Sequence, residues 1–174
     1  IEKHLSDIGM ILKTDQQDIS NAKDEVSLDY LGKLAIREAQ GQLGVSDRID
    51  LTISSNANTI WTEKLILLEV MTNLLSNALK FSEGSVSFNV KATTENLTFE
   101  IRDSGIGIPQ NEQEKVFDAL YRASNNDEVR GNGLGLSIVR DYVMLIGGSI
   151  RLQSTVNQGT LVSVSIPLSA KPSL

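Results

Sequence analysis

The stretch that decides the fold is Leu97-Thr-Phe-Glu-Ile-Arg-Asp103-Ser-Gly105-Ile-Gly107-Ile-Pro109. Its first five residues alternate between apolar and polar side chains, which predicts a β-strand with one buried face. An aspartate then stands where flexible backbone begins, so a strand end can hold one hydrogen-bond acceptor rigidly at the mouth of a pocket. A carboxylate accepts a hydrogen bond from an exocyclic amine and would favour adenine over guanine. Taken alone, Asp-Ser-Gly is better explained as an ordinary turn.

A second glycine cluster lies downstream, in Gly131-Asn-Gly133-Leu-Gly135-Leu-Ser137, before a helix predicted over 136–146. Backbone N–H groups at a helix N-terminus bind phosphate. The cluster lacks the Gly-Lys-Ser/Thr of a Walker A loop and the Gly-x-Gly-x-x-Gly spacing of a Rossmann turn. The polar segment 123–130 before it has the composition of a mobile lid. A flexible loop with a glycine hinge is the alternative.

The strongest helical pattern runs over 61–81, where apolar residues recur every three or four positions. Glu69, Asn73, Asn77 and Lys80 form one stripe along this helix, each about one turn after the last. Amide oxygens suit a cation such as Mg²⁺, which keeps several of its waters, and a lysine one turn further can meet a phosphate. A solvated helix face that carries two asparagines by chance is the alternative.

The remaining pattern predicts helices over 28–39, ended by Gly41 and Gly44, and over 112–121. Strands are predicted over 48–54, 86–90, 149–154 and 160–166, and residues 93–96 have the composition of a hairpin turn. Because most strands come as hairpins, we expect a mixed or antiparallel sheet with helices on one face. The predicted fold is therefore an α+β two-layer sandwich.

The composition excludes several classes of protein. The chain has 174 residues, a net charge of −6 and no cysteine, so disulfides and thiolate metal sites are impossible. The negative charge argues against a general nucleic-acid surface. Because the sequence contains neither an apolar run of membrane-span length nor a signal peptide, we expect a cytoplasmic domain, whose full-length protein can still be membrane-anchored.

Five segments, in order, resemble the motifs of the catalytic and ATP-binding domain of two-component sensor histidine kinases. This domain belongs to the gyrase–Hsp90–histidine kinase–MutL superfamily. Residues 73–82 resemble its N box, 103–109 its first glycine box, 115–122 its F box, 131–137 its second glycine box, and Gly159-Thr160 the last motif. The resemblance covers residues 26 to 168. It implies a Bergerat-type fold, with ATP and Mg²⁺ as cofactors.

The resemblance also implies a role for each motif residue. Asn77 would coordinate Mg²⁺, while Asn73, Lys80 and Arg122 would act on the triphosphate as the catalytic group. Asp103 would accept the adenine amine, and residues 118–134 would form the ATP lid. The full set of ATP-binding residues that the resemblance implies is Asn73, Asn77, Lys80, Phe81, Asp103, Gly105, Gly107, Ile108, Tyr121, Arg122, Gly131, Gly133, Leu134, Gly135, Leu136 and Thr160.

Two positions depart from the patterns of the superfamily. The F box usually contains Phe-x-Pro-Phe, whereas this chain has Phe117-Asp-Ala119-Leu120, so we expect looser anchoring of the lid. In the ATPase relatives a catalytic glutamate aligns with Asn73, and Glu69 lies one turn too early to replace it. This difference favours a kinase over an ATPase that activates water.

The chain contains one histidine, His4, which has neither the acidic neighbour nor the proline expected around a phosphate acceptor. Apolar residues over 1–12 share one helical face, and 15–25 resembles a linker. We therefore assign residues 1–25 to the end of a dimerisation-domain helix and its linker, 26–170 to the catalytic domain and 171–174 to a tail. The phosphotransfer domain is expected to lie outside this chain.

The function that follows is transfer of the ATP γ-phosphate to a histidine on that dimerisation domain, for signalling to a response regulator. The full-length protein is expected to be a homodimer, whereas the fragment alone can be a monomer. Isolated, the chain should bind Mg-ATP without phosphorylating itself. The alternatives are an ATPase of the same superfamily, a degenerate nucleotide-binding regulatory domain, and an anti-sigma serine kinase.

Overall fold

The computed structural model describes residues 23–125 and 132–171. The helix predicted over 1–12 lies outside these residues. Between the fifth strand and the third helix, the described chain forms 3₁₀ turns at Gln110–Glu112 and Lys115–Phe117. The helices and strands are β1 (Asp24–Ser27), α1 (Leu28–Leu43), β2 (Ile49–Ser55), β3 (Thr59–Thr62), α2 (Lys64–Phe81), β4 (Val86–Ala92), β5 (Asn96–Arg102), α3 (Gly135–Leu145), β6 (Ser149–Thr155) and β7 (Gly159–Pro167).

The main sheet is mixed, as the sequence predicts, and has five strands in the order β2-β4-β5-β7-β6. β2 and β4 are parallel, while the other three pairs are antiparallel. β4–β5 and β6–β7 are the two predicted hairpins, and β5 occupies the centre. β1 and β3 form a separate antiparallel pair. The C-terminal end of β5, where Asp103 follows, therefore lies in the middle of the sheet.

One face of this sheet is buried against the helices. In β5 the buried residues are Leu97, Phe99 and Ile101, and they alternate with residues that are exposed or partly exposed. α2 packs between α1 and α3 and contacts β4 and β5, while α1 and α3 reach the outer strands β2 and β6. The two-layer α+β sandwich is therefore confirmed. Within the described residues, none of the helices combines the length and hydropathy needed to cross a membrane.

The structure corrects the predicted start of two elements. The helical pattern predicted from residue 61 begins at Lys64, because Trp61 and Thr62 belong to β3 and pair with β1. The linker predicted over 15–25 is wrong at its end, since Asp24 and Glu25 form the other half of that pair. Short apolar strands and buried helix turns share the same composition, so periodicity alone could not separate β3 from α2.

The structure also corrects two helix ends. α1 continues through Gly41 to Leu43 and ends at Gly44, whose left-handed backbone (φ 65°) lets its N–H donate to the carbonyl of Gln40. The helix predicted over 112–121 forms only 3₁₀ turns. Its last part cannot be helical because Leu120 adopts a positive φ of 67° and donates its N–H to the carbonyl of Gly133, 3.0 Å away.

Arg48, directly before β2, holds the C-terminal end of α2. Its guanidinium donates to the carbonyls of Leu79 (3.5 Å), Ser82 and Gly84 (2.8 Å). The last carbonyls of a helix have no partner within the helix, and a cation there also complements the negative end of the helix dipole. This one side chain therefore ties the last turn of α2 to the residues that follow it.

Replacing Arg48 by methionine keeps most of the apolar stem and removes the guanidinium. We expect Arg48→Met to lower the free energy of unfolding by about 3 kcal/mol, because several carbonyls lose a charged donor. Urea unfolding measures the change. Arg151→Met, at an exposed position on β6, is the matched control and should change stability by less than about 0.5 kcal/mol. Equal midpoints for the two variants would contradict the assignment.

Candidate functional site

A cavity of about 310 Å³ lies between α2, the C-terminal end of β5, the loop after β5 and the N-terminus of α3. It brings together residues from all five predicted motifs. Gly105 does not line it, and Gly131 lies outside the described residues. The predicted ligand residues that line the cavity are Asn73, Asn77, Lys80, Phe81, Asp103, Gly107, Ile108, Tyr121, Arg122, Gly133, Leu134, Gly135, Leu136 and Thr160.

The inner wall of the cavity is apolar and was not predicted. Ile101, Leu152 and Val162 come from the neighbouring strands β5, β6 and β7 and supply part of it, while Ile138 adds a side chain from α3. The alternation of each strand marks these positions as facing the helices. What the sequence does not show is that a gap remains between the sheet and α3 at this point. Such a wall suits a flat, largely apolar ring.

Asp103 is held rigidly at one end of the cavity. Its backbone N–H donates to the carbonyl of Thr160 (3.0 Å), which continues the pairing of β5 with β7. Its Oδ1 accepts from the N–H groups of Gly105 (2.8 Å) and Thr160 (3.3 Å). Burial raises the pKa of the Asp103 carboxyl above its ordinary value, and these two N–H donors partly oppose the rise. The carboxylate is thus fixed through one oxygen and offers the other to a ligand.

The glycines of the first cluster are required by the backbone around them. A Cβ on Gly105 would lie 1.9 Å from the carbonyl oxygen of Phe81, and the next residue, Ile106, donates its N–H to that same oxygen (3.1 Å). Gly107 has a φ of 65°, and a Cβ there would lie 2.1 Å from the carbonyl oxygen of Thr155. The space beside Gly105, which the resemblance places in the ATP site, is therefore occupied by the end of α2.

The opposite end of the cavity is lined by amides. The Asn73 amide donates through Nδ2 to Glu69, to the carboxylate (2.8 Å) and to the backbone carbonyl (3.0 Å). A Cβ on Gly135 would lie 3.5 Å from Oδ1 of Asn73 and 3.8 Å from Oδ1 of Asn77. The stripe on α2 therefore faces the N-terminus of α3, where N–H groups favour an anion. Lys80 lines the same cavity one turn further.

This donor set fits a magnesium ion that arrives with phosphate. Among residues 23–125 and 132–171, no cluster of three or more His, Cys, Asp or Glu side chains could hold a metal alone. Mg²⁺ is commonly held by one or two protein oxygens, with substrate phosphates and water completing the shell. The amide oxygens of Asn73 and Asn77, close to a phosphate-binding helix end, meet that requirement.

The described ends of the predicted lid are tied to the rest of the site. The Leu120 N–H donates to the carbonyl of Gly133 (3.0 Å), which joins the two sides of the lid. The Asn125 side chain donates to the carbonyl of Gly107 (2.9 Å). Ala119 and Leu120, which replace the Pro and Phe of the usual F box, are both exposed. Polar contacts therefore hold this segment where the F box lacks its second aromatic side chain.

Comparison with known proteins identifies the family. The family model described as "Histidine kinase-, DNA gyrase B-, and HSP90-like ATPase" matches residues 62–170. The chain belongs to this family. Its members bind ATP, and the relatives below place it among the ATP-binding catalytic domains of sensor histidine kinases, as the resemblance of the motifs implies.

Two curated relatives are named histidine kinases. The chain is 32% identical over 170 residues to the circadian input-output histidine kinase CikA of Synechococcus elongatus, covering 92% of this chain and 22% of that protein. It is 37% identical over 107 residues to the sensor histidine kinase WalK of Bacillus subtilis, covering 58% of this chain and 18% of that protein. The chain thus spans about a fifth of the length of these relatives.

Solved structures share the fold. The mycobacterial sensor histidine kinase MprB has a TM-score of 0.68 at 22% identity, covering 83% of this chain and 98% of that one. Full-length ShkA in complex with AMPPNP has a TM-score of 0.71 at 24% identity, covering 87% of this chain and 32% of that one. At these identities, the two likenesses support the α+β architecture.

The backbone contact at Gly105 leads to a test of the site. We expect Gly105→Ala to destabilise the chain by about 2 kcal/mol or more, because the new methyl overlaps the Phe81 carbonyl and the loop must move. Gly41→Ala is the matched control: it lies inside α1 with nothing within 4 Å of the added Cβ, and should stabilise by about 0.5–1 kcal/mol. Thermal unfolding compares them. A Gly105→Ala variant as stable as wild type would contradict the contact.

Proposed function

We propose that this chain binds Mg-ATP in the cavity and supplies the γ-phosphoryl group to a histidine on a dimerisation domain outside residues 1–174. The observation that carries the proposal is the convergence of three different recognition groups on one cavity. A fixed carboxylate lies at one end, an apolar wall lies in the middle, and amides face a helix N-terminus at the other end. These suit, in order, an adenine amine, a purine ring and a magnesium triphosphate.

The adenine end is specific because its acceptor cannot move. Asp103 is held by two backbone N–H groups, so its second carboxylate oxygen is directed without rearrangement. Adenine carries an exocyclic amine that can donate to this oxygen, whereas guanine carries a carbonyl oxygen at the same ring position and would be repelled. Thr160 hydrogen-bonds Ser154 (2.9 Å) beside the carboxylate and can order a bridging water. The site should therefore select ATP over GTP.

The phosphate end acts by positioning and by charge. The amide oxygen of Asn77 would hold Mg²⁺, with Asn73 beside it at the triphosphate, and Mg²⁺, when bound, neutralises negative charge on the phosphate oxygens. Lys80 and Arg122 line the cavity and can donate hydrogen bonds to the same oxygens. Glu69 accepts two hydrogen bonds from the Asn73 amide, one through its carboxylate. That carboxylate is thus occupied in orienting Asn73, which supports transfer to a protein acceptor rather than activation of water.

The partners follow from this assignment. CikA and WalK are named histidine kinases and are several times longer than this chain. We therefore propose that the complete protein is a homodimer through its dimerisation and phosphotransfer domain and that it passes phosphate to a response regulator. His4, the chain's one histidine, lies outside the described residues.

Nucleotide selectivity is the most direct test. Wild type should bind Mg-ATP more tightly than Mg-GTP in a calorimetric titration. Asp103→Asn keeps an oxygen for the two backbone N–H groups but loses the negative charge that receives the adenine amine. We expect ATP affinity to fall by about 1–3 kcal/mol, which is about 5- to 150-fold. Undiminished ATP affinity in the folded variant would remove the adenine role of Asp103.

The same variant provides its own stability control. Burial raises the pKa of Asp103 in the folded chain. At pH values between the ordinary aspartate pKa, about 3.9, and the raised value, this carboxyl is therefore protonated to a greater extent in the folded chain than in the unfolded chain. The carboxyl's contribution to stability therefore decreases as the pH rises through this window. The asparagine side chain of the Asp103→Asn variant does not titrate, so the variant should gain stability relative to wild type across the window. Urea unfolding at a series of pH values measures this gain, and a relative loss would contradict it.

Phosphotransfer is tested with labelled ATP. We expect the isolated chain to bind Mg-ATP and to incorporate no phosphate, because its acceptor domain is absent. Quenching with detergent and EDTA at alkaline pH, followed by a gel run under alkaline conditions, preserves phosphohistidine, and loss of the label on acid treatment identifies it. Acid-labile label that disappears in His4→Gln would contradict the assignment of the acceptor to another domain.

A further inference from the structure

Glu112 is a buried carboxylate that the proposed phosphotransfer does not use. It ends the 3₁₀ turn that follows the first glycine loop, and only 9% of it is exposed. Carboxylates are almost never buried without partners, because leaving water is costly unless hydrogen bonds compensate. Its partners therefore indicate what the burial achieves.

The hydrogen bonds that described residues donate to the Glu112 carboxylate come from one short segment of the lid. The N–H of Ser124 donates to Oε2 (2.8 Å) and the Ser124 hydroxyl donates to Oε1 (2.7 Å). The Ser124 donors, the hydroxyl first, hold the pKa of Glu112 below its ordinary value, so the clamp is ionised at neutral pH. Tyr121 makes a smaller contribution that also lowers the pKa of Glu112.

The clamped segment, residues 121–124, lies between the two glycine loops. Directly before it, the Leu120 N–H reaches the carbonyl of Gly133, and directly after it Asn125 reaches the carbonyl of Gly107. Tyr121 and Arg122 line the cavity. A displacement of the segment would therefore move a phosphate-binding cation, while leaving the adenine end at Asp103 in place.

We propose that Glu112 is a positioning residue for the triphosphate: its carboxylate clamps residues 121–124 so that Arg122 stays at the cavity wall. The inference rests on the proposed function. It also accounts for Ala119 and Leu120 in the F box, because a hydrogen-bonded carboxylate replaces packing of the usual Pro and Phe as the anchor of the lid. Glu112 itself does not line the cavity.

The test uses Glu112→Gln, which has nearly the same shape. Glutamine keeps an acceptor oxygen for the Ser124 N–H, and its amide can donate to the Ser124 hydroxyl, so the variant removes the negative charge that strengthens both bonds. Glu114→Gln is the matched control, because it removes the same charge from an exposed carboxylate two positions away. Ser124→Ala removes one donor from the other side and serves as the second variant if Glu112→Gln does not fold.

The first measurement is hydrogen exchange at the Ser124 amide in nucleotide-free protein. Exchange should accelerate about tenfold in Glu112→Gln, because the Ser124 N–H then donates to a neutral oxygen and its bond is weaker. It should stay at the wild-type rate in Glu114→Gln. An unchanged exchange rate in Glu112→Gln overturns the clamp, whatever the effect of the variant on nucleotide affinity.

The second measurement compares Mg-ATP with adenosine, which has no phosphates. We expect Glu112→Gln to weaken ATP binding about tenfold and leave adenosine affinity unchanged, with a smaller effect of the same kind in Ser124→Ala. An equal loss for both ligands shows general disruption and overturns the positioning role. Unchanged ATP affinity despite faster exchange overturns it as well. Wild type that binds neither ligand would instead refute the proposed function, and with it the role of the clamp, while the exchange rates still show whether the clamp exists.

Discussion

The site depends on one backbone contact, between the carbonyl of Phe81 at the end of α2 and the N–H of Ile106 in the first glycine loop. It joins the helix that carries the asparagines to the strand end that carries Asp103. Gly105 allows the approach, since any Cβ there would overlap the carbonyl. From the other side, Arg48 binds the carbonyls around the same helix end. The distance between the adenine end and the phosphate end is therefore set by protein backbone, before any ligand binds.

This preorganisation is unequal across the site. Asp103 directly follows the central strand β5. Its backbone N–H bonds the carbonyl of Thr160 on the neighbouring strand β7, which fixes its position. The cations at the phosphate end are borne by longer, more exposed side chains, and one of them, Arg122, belongs to the lid. In the proposed function, selection of the base is thus built into the sheet, whereas contact with the phosphates depends on side-chain clamps. Such a division lets phosphate contacts open and close without loss of base selectivity.

Sequence patterns predict the sheet well because its strands have one buried face. Phe99 and Val164 alternate with polar neighbours, and this alternation does not depend on how the individual side chains pack. Sequence patterns fail where a contact between residues distant in the chain decides the local structure. Leu120 leaves the helical region because it bonds Gly133, and Trp61 is extended because it pairs with β1. The burial of Glu112 could not be predicted for a similar reason, since an acidic residue within a polar segment is expected to be exposed.

The hydrogen bond between Leu120 and Gly133 has a consequence for how such domains can diverge. It brings the two described ends of the lid together, so the ends of the chain segment between them are already held close to each other. Doubling the length of a flexible loop costs only about 0.6 kcal/mol in closure entropy. A longer lid that keeps residues 120–125 and Gly133 should therefore cost little folding stability, so lid length can vary with the chemistry that the lid must cover.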